Sequence, residues 1–207
     1  MSEESQASLQ IQRALKPEFL THTKFEEFNL PAAVLSGLNE AGFTYCTPIQ
    51  AQTLPVLLTG RDVAGQAQTG TGKTAAFLVT VITRLLAQPE KSNGLPSAII
   101  IAPTRELSRQ IYEEAKILAR NTGLSMAQVV GGVDYLKQAE ILRRGADIVI
   151  CTPGRIIDYY KQGIFKTEVI KALVIDEADR LLDLGFAKDM RYLLQKLPPY
   201  ANRQSML

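Results

Sequence analysis

The 207-residue sequence predicts an α/β domain: a mostly parallel sheet with helices on both faces. Two observations predict it. Short apolar runs without polar alternation, such as residues 98–102 and 172–175, have the pattern of strands buried on both faces. Stretches with helical apolar spacing separate them, so strand and helix alternate along the chain. Right-handed crossovers follow, and ligands in such sheets bind at the carboxyl ends of the strands.

Taken in order, residues 1–23 are rich in Ser, Gln and Glu with scattered Leu9, Ile11 and Leu15, and predict a mobile extension. Residues 24–207 predict one domain. A helix is expected over 31–41, with Pro31 in its first turn and Gly42 as its stop, and a second over 49–58. Residues 62–66 form a strand candidate leading into a glycine-rich loop, and 73–86 a helix. A surface loop is expected over 88–96, where Pro, Ser, Asn and Gly cluster. The rest predicts strands over 98–102, 126–130, 147–151 and 172–175, and helices over 106–120, 135–144, 156–161 and 186–197.

Composition excludes some classes. Hydrophobic residues make up 46% and charged residues 21%, ordinary values for a soluble globular protein. No apolar run approaches the roughly 18 residues of a spanning helix, and the polar N-terminus lacks an apolar secretory segment, so a cytoplasmic protein is expected. Cys46, Cys151 and a lone His22 do not make a structural zinc site. Net charge is −3 over residues 1–60, +3 over 61–120 and +2 over 121–207. An anionic polymer would therefore have to be held by local geometry rather than by bulk charge.

Residues 67–74 run Ala-Gln-Thr-Gly-Thr-Gly-Lys-Thr, nearly G-x-x-x-x-G-K-[ST] with Ala67 in place of the first glycine. Gly70 and Gly72 allow backbone N–H groups to turn inward, and with the following helix N-terminus they predict a phosphate cradle. Lys73 would reach the β- and γ-phosphates and Thr74 would ligate Mg²⁺. A glycine-rich turn with an incidental Lys-Thr is the plainer alternative. Residues 172–179 run Ala-Leu-Val-Ile-Asp-Glu-Ala-Asp, an apolar strand delivering Asp176 and Glu177 at its end. There Asp176 would hold Mg²⁺ and Glu177 would orient water or accept its proton. An acid-decorated helix start would look similar, but a metal-assisted NTPase needs both motifs.

Asp176-Glu177-Ala178-Asp179 spells the signature of the DEAD-box RNA helicases, and the sequence resembles that family from about Phe25 to its end. Residues 42–50, Gly-Phe-Thr-Tyr-Cys-Thr-Pro-Ile-Gln, resemble its Q motif, with Cys46 where proline is usual. The resemblance implies an ATP- and Mg²⁺-dependent RecA-like domain. It implies that Gln50 reads the adenine edge, that Thr47 supports the phosphate loop, that Phe25 stacks on the base, and that Gln68, Thr69, Gly70, Thr71, Gly72, Lys73 and Thr74 hold the phosphates. Pro103, Thr104 and Arg105 resemble motif Ia, Gly131-Gly132 the paired-glycine motif, and Thr152, Pro153, Gly154 and Arg155 motif Ib. These three sets would line the RNA backbone and bind it without reading sequence.

Asp179 would couple to a Ser-Ala-Thr motif expected beyond Leu207, and a second RecA-like domain would carry the arginine finger. The wording around Cys46, Gly60-Arg61-Asp62 and Asp183-Leu184-Gly185-Phe186 resembles bacterial members that act in RNA decay with an endoribonuclease partner. Two other classes compete. A phosphate-loop kinase or GTPase would need an acceptor site or an Asn-Lys-x-Asp segment. A non-catalytic docking module would not need Lys73, Thr74, Asp176 and Glu177 together.

Overall fold

The structure is a computed structural model that describes residues 19–67, 70–88 and 94–207. Most of the expected N-terminal extension, Gln68, Thr69 and much of the expected 88–96 loop therefore lie outside the described residues. The chain divides into two compact units. The first takes the chain up to Gln88 together with Glu113–Gly123, and the second takes Pro89–Tyr112 and Leu124–Leu207. No described helix is long and apolar enough to cross a membrane.

The first unit is helical. A 3-10 turn, Phe25–Phe28, leads to α1 (Ala32–Glu40), α2 (Pro48–Leu57) and α3 (Lys73–Leu86). Thr47 caps α2: its hydroxyl accepts from the Gln50 N–H, and the Gln50 side chain returns a bond to the Thr47 N–H. Helix α3 is buried over Ala75–Ile82 and packs against α1 and α2. Helix α1 meets the chain at Leu118 through Gly37, where a Cβ would stand 2.3 Å from the Leu118 carbonyl oxygen. Beside this contact the Glu40 carboxylate accepts from Arg120 at 2.6 Å and from Asn121 at 2.9 Å. Thr21 and Thr23 bond the backbone of Cys46, and Lys24 bridges Tyr45, so described structure begins slightly upstream of Lys24.

The second unit is the sheet. Strands β1 (Ala98–Ile101), β2 (Met126–Val129), β3 (Ile148–Cys151), β4 (Ala172–Ile175) and β5 (Gln204–Met206) lie in the order β2-β3-β1-β4-β5, all parallel. Strands β1, β3 and β4 are fully buried, as unbroken Ile, Val and Leu require in a sheet covered on both faces. Between them run α4 (Arg105–Leu118), α5 (Tyr135–Arg144), α6 (Pro153–Lys161), α7 (Ala178–Asp183) and α8 (Ala187–Lys196). Leu142, Ile156, Ile157, Tyr159, Phe165 and Leu193 close the core over Ile99, Val149, Leu173 and their neighbours.

Two expectations are corrected. Residues 62–66 do not form a strand. Only Val63 bridges, and with Asp62, Ala64 and Gln66 exposed there is no second face to bury. Helix α6 begins at Pro153, not Ile156, because proline suits the first helical turn. Helix α7 and strand β5 were not foreseen.

Both thiols are free and buried. Burial, and then the Glu27 charge, push the Cys46 thiol up from 9.0 to about 12, and burial alone raises Cys151. Neither should react with iodoacetamide at pH 8 in the folded chain, and both should react in guanidinium. The unfolded thiols lose protons near pH 9.0 while the folded ones keep theirs, so stability should fall as pH rises from there towards 12. Rapid native alkylation, or pH-independent melting across that window, would contradict the burial.

Candidate functional site

In the first unit the glycine-rich loop opens α3. Gly70 and Gly72 have φ of 82° and 89°, left-handed values that side chains rarely adopt, and a Cβ on Gly70 would meet nothing within 4 Å. Gly72 sits at the start of α3, whose first-turn N–H groups have no partner within the helix. The Lys73 ammonium donates to the Ala67 carbonyl, folding the lysine back on its own loop. Thr71 and Thr74 are half-buried beside it.

The Q-motif residues converge on this loop. Gln50 is 0% exposed. Its carboxamide oxygen accepts from the Thr47 N–H at 2.8 Å, and its nitrogen donates to the Gly72 carbonyl at 3.0 Å. The side chain expected to read a base thus also ties α2 to the glycine-rich loop. One amide hydrogen and one lone pair remain on it. Phe25 is 1% exposed and lies edge-on to Phe43, with ring centroids 5.9 Å apart. Stacking on a base would require this ring to be uncovered.

In the second unit, the register pairs Ile101 with both Cys151 and Ile175, and Val129 with Cys151. Four carboxyl ends therefore share one edge of the sheet, and a predicted motif follows each. After β1 come Pro103, Thr104 and Arg105, where the Thr104 hydroxyl accepts from the Leu107 N–H at 3.2 Å and so caps α4. After β2 come Gly131 and Gly132. A Cβ on Gly132 would stand 2.0 Å from the Arg105 guanidinium, so the two motifs are packed against each other. After β3 come Thr152 and Pro153, both buried, and exposed Gly154 at the start of α6. After β4 comes the acidic run.

Asp176 is 7% exposed, and its Oδ1 accepts from the Glu177 N–H at 3.0 Å. Glu177 is held at φ 50°, a rare value for a non-glycine residue. Strain of this kind clusters at functional sites. Its carboxylate pairs with Arg180 at 3.0 Å. The Asp179 carboxylate accepts from the Arg180 N–H at 2.9 Å.

Sequence reasoning missed the residues that hold the paired-glycine loop. Gln138 is buried, accepts from the Val130 N–H at 2.7 Å and donates to the Val130 carbonyl at 3.1 Å. Tyr159 is fully buried and donates to the Tyr135 carbonyl at 2.7 Å. Burial, and then the Asp158 charge, raise the Tyr135 phenol above its usual 10.0, so it stays neutral. One signal was available: Gln138 sits next to Ala139 and one turn before Leu142 on the apolar face of a helix.

No group of three or more His, Cys, Asp or Glu among the described residues could hold a metal ion by itself. Asp176 and the Thr74 hydroxyl offer hard oxygen atoms, the ligand type that Mg²⁺ takes, commonly beside the substrate's own phosphates.

The chain is 53% identical over 188 residues to the ATP-dependent RNA helicase RhlB of Pseudoalteromonas atlantica, covering 91% of this chain and 45% of that protein. It is 53% identical over 192 residues to the protein of that name from Xanthomonas axonopodis pv. citri, covering 91% and 34%. For the one from Vibrio atlanticus it is 52% identical over 196 residues, covering 93% and 45%. The chain thus spans less than half the length of these relatives. Residues 47–207 match the DEAD/DEAH box helicase family, and the chain belongs to it.

Proposed function

We propose that this chain is the ATP-binding and RNA-backbone-binding half of an ATP-dependent RNA helicase. The observation that carries this reading is the shared edge of the sheet. Residues of motif Ia, the paired glycines, motif Ib and the acidic run each follow a carboxyl end there, where such sheets bind ligands. Three of the four supply hydroxyls, glycine backbone and arginine, the usual partners of phosphodiesters. RNA binding is therefore sequence-independent and salt-sensitive.

Nucleotide binding falls to the RecA-like phosphate loop. Gly70, Thr71 and Gly72 offer backbone N–H groups, with Gln68 and Thr69 in the same run, and Lys73 supplies a cation. Thr74 and Asp176 would be the residues to hold Mg²⁺, which would supply positive charge against the phosphates. Glu177 orients water and takes its proton, and Gln50 selects adenine. Asp179 serves coupling to a second RecA-like domain. The intact enzyme then separates short RNA duplexes in the cytoplasm, in RNA decay beside an endoribonuclease. The 207-residue chain by itself hydrolyses ATP slowly, because the resemblance assigns the arginine finger, worth about 10³–10⁵ in rate, to that second domain.

The test is Glu177→Gln, with phosphate release followed over hours at excess protein. Hydrolysis should drop by about 10²–10⁴-fold, with Mg·ATP affinity held within about twofold, since the substitution keeps the shape and removes only the base. Unchanged hydrolysis would remove Glu177 from the chemistry. Affinity and hydrolysis falling together would make it a binding group instead.

A further inference from the structure

We infer that Arg155 acts on RNA indirectly, as the strut that holds the Gly131–Gly132 loop in shape, rather than as a phosphate ligand. The inference rests on the RNA-binding reading above and refines it.

The Arg155 guanidinium is already engaged. One nitrogen donates to the Val133 carbonyl at 3.2 Å and lies 3.5 Å from the Tyr159 hydroxyl. Its centre sits 5.1 Å from the Tyr135 ring centroid and 5.7 Å from that of Tyr159, within cation–π range of both. The two rings lie 4.7 Å apart, tilted by 51°. Tyr159 in turn donates to the Tyr135 carbonyl. Every one of these contacts ends on residues 133–135 or on the tyrosine beneath them, so Arg155 fastens the downstream side of the loop to α6.

The upstream side is fastened separately. Gln138 brackets Val130 with two hydrogen bonds, and Arg105 lies against Gly132. Asp134, by accepting from the Lys137 N–H at 3.1 Å, starts α5 directly after the loop. A loop offering backbone N–H groups to phosphate must keep their direction, and glycines do not keep it themselves. The rigidity comes from Gln138, Tyr135, Tyr159 and Arg155. A lysine at 155 keeps the charge but cannot spread a planar guanidinium over two rings while bonding a carbonyl.

The test measures binding of a labelled single-stranded oligouridylate by anisotropy across salt concentrations, for the wild-type chain, Arg155→Ala, Arg155→Lys and Tyr135→Leu. Amide hydrogen exchange over residues 131–136 is measured on the same proteins without RNA. The strut predicts that all three variants lose about tenfold in affinity, with an unchanged salt slope and exchange at 131–136 faster by about tenfold. A phosphate ligand predicts that only Arg155→Ala loses affinity strongly, with its slope smaller by about 0.7, that lysine rescues it, and that exchange is unchanged. That outcome overturns the inference and leaves RNA binding intact. A role in stability alone would lower melting temperature without moving RNA affinity, which also overturns it. If the wild type binds no oligouridylate, the RNA-binding reading fails and this inference with it, while the exchange data show whether the strut itself exists.

Discussion

Lys73→Ala should weaken Mg·ADP binding by about a hundredfold, or about 3 kcal/mol. The lysine is the charged group of the glycine-rich loop proposed to hold the phosphates, and an ammonium facing phosphate would be hard to replace with water. Its ammonium donates to the Ala67 carbonyl. Binding nucleotide therefore means exchanging that bond for phosphate oxygens, and it reopens the loop. The alanine variant loses the bond to the Ala67 carbonyl, which by itself lowers the melting temperature by the equivalent of about 1 kcal/mol. Calorimetric titration with Mg·ADP checks the first statement and thermal denaturation the second. Equal affinities in wild type and variant would mean that the glycine-rich loop is only a turn. Loss of binding together with loss of folding would leave the lysine's role structural.

Gly37→Val should destabilise the chain by about 3 kcal/mol, lowering the melting temperature by about 6–12 °C. Helix propensity alone argues the other way for the milder Gly37→Ala. Glycine inside α1 is disfavoured by about 1 kcal/mol relative to alanine, so alanine there should stabilise. The packing decides otherwise. An added Cβ would stand 2.3 Å from the Leu118 carbonyl oxygen and 2.8 Å from its Cα and carbonyl carbon, and these backbone atoms cannot swing aside as a flexible side chain can. Helix α1 would have to lift from Leu118, disturbing the Glu40 pairings with Arg120 and Asn121 nearby. Alanine should therefore also destabilise, though less than valine. A melting temperature raised by alanine would show that α1 is free to move.

Most of the sheet was legible because its signal is simple. Four-residue apolar runs such as Ile148–Cys151 have no amphipathic reading, so burial on both faces, and hence a parallel sheet, followed from composition alone. Where that signal weakened, the reading failed. Strand β5 is Gln204-Ser205-Met206, only partly apolar, and its place is set by pairing with β4. Residues 62–66 looked like a strand by content, yet Asp62, Ala64 and Gln66 stay in water. Helix α7 was hidden because Glu177 enters it with a left-handed backbone angle that no propensity scale anticipates for glutamate.

The sequence points to the motif residues as candidates, but it does not show what they touch. The sequence placed Gln50 in the Q motif without revealing that its carboxamide spans Thr47 and Gly72. Its motif makes Arg155 a candidate to line RNA without revealing the two tyrosines that hold it. Such contacts join residues distant along the chain, and single-sequence spacing does not record them.

If the glycine-rich loop and Gln50 form one adenine-selective nucleotide site, titration of the chain with Mg·ADP and Mg·GDP in parallel, alongside Gln50→Ala, shows it. ADP should bind more tightly than GDP, and Gln50→Ala should weaken ADP binding and erase the preference. Equal binding of both nucleotides by the wild type, or a preference that survives Gln50→Ala, would contradict it.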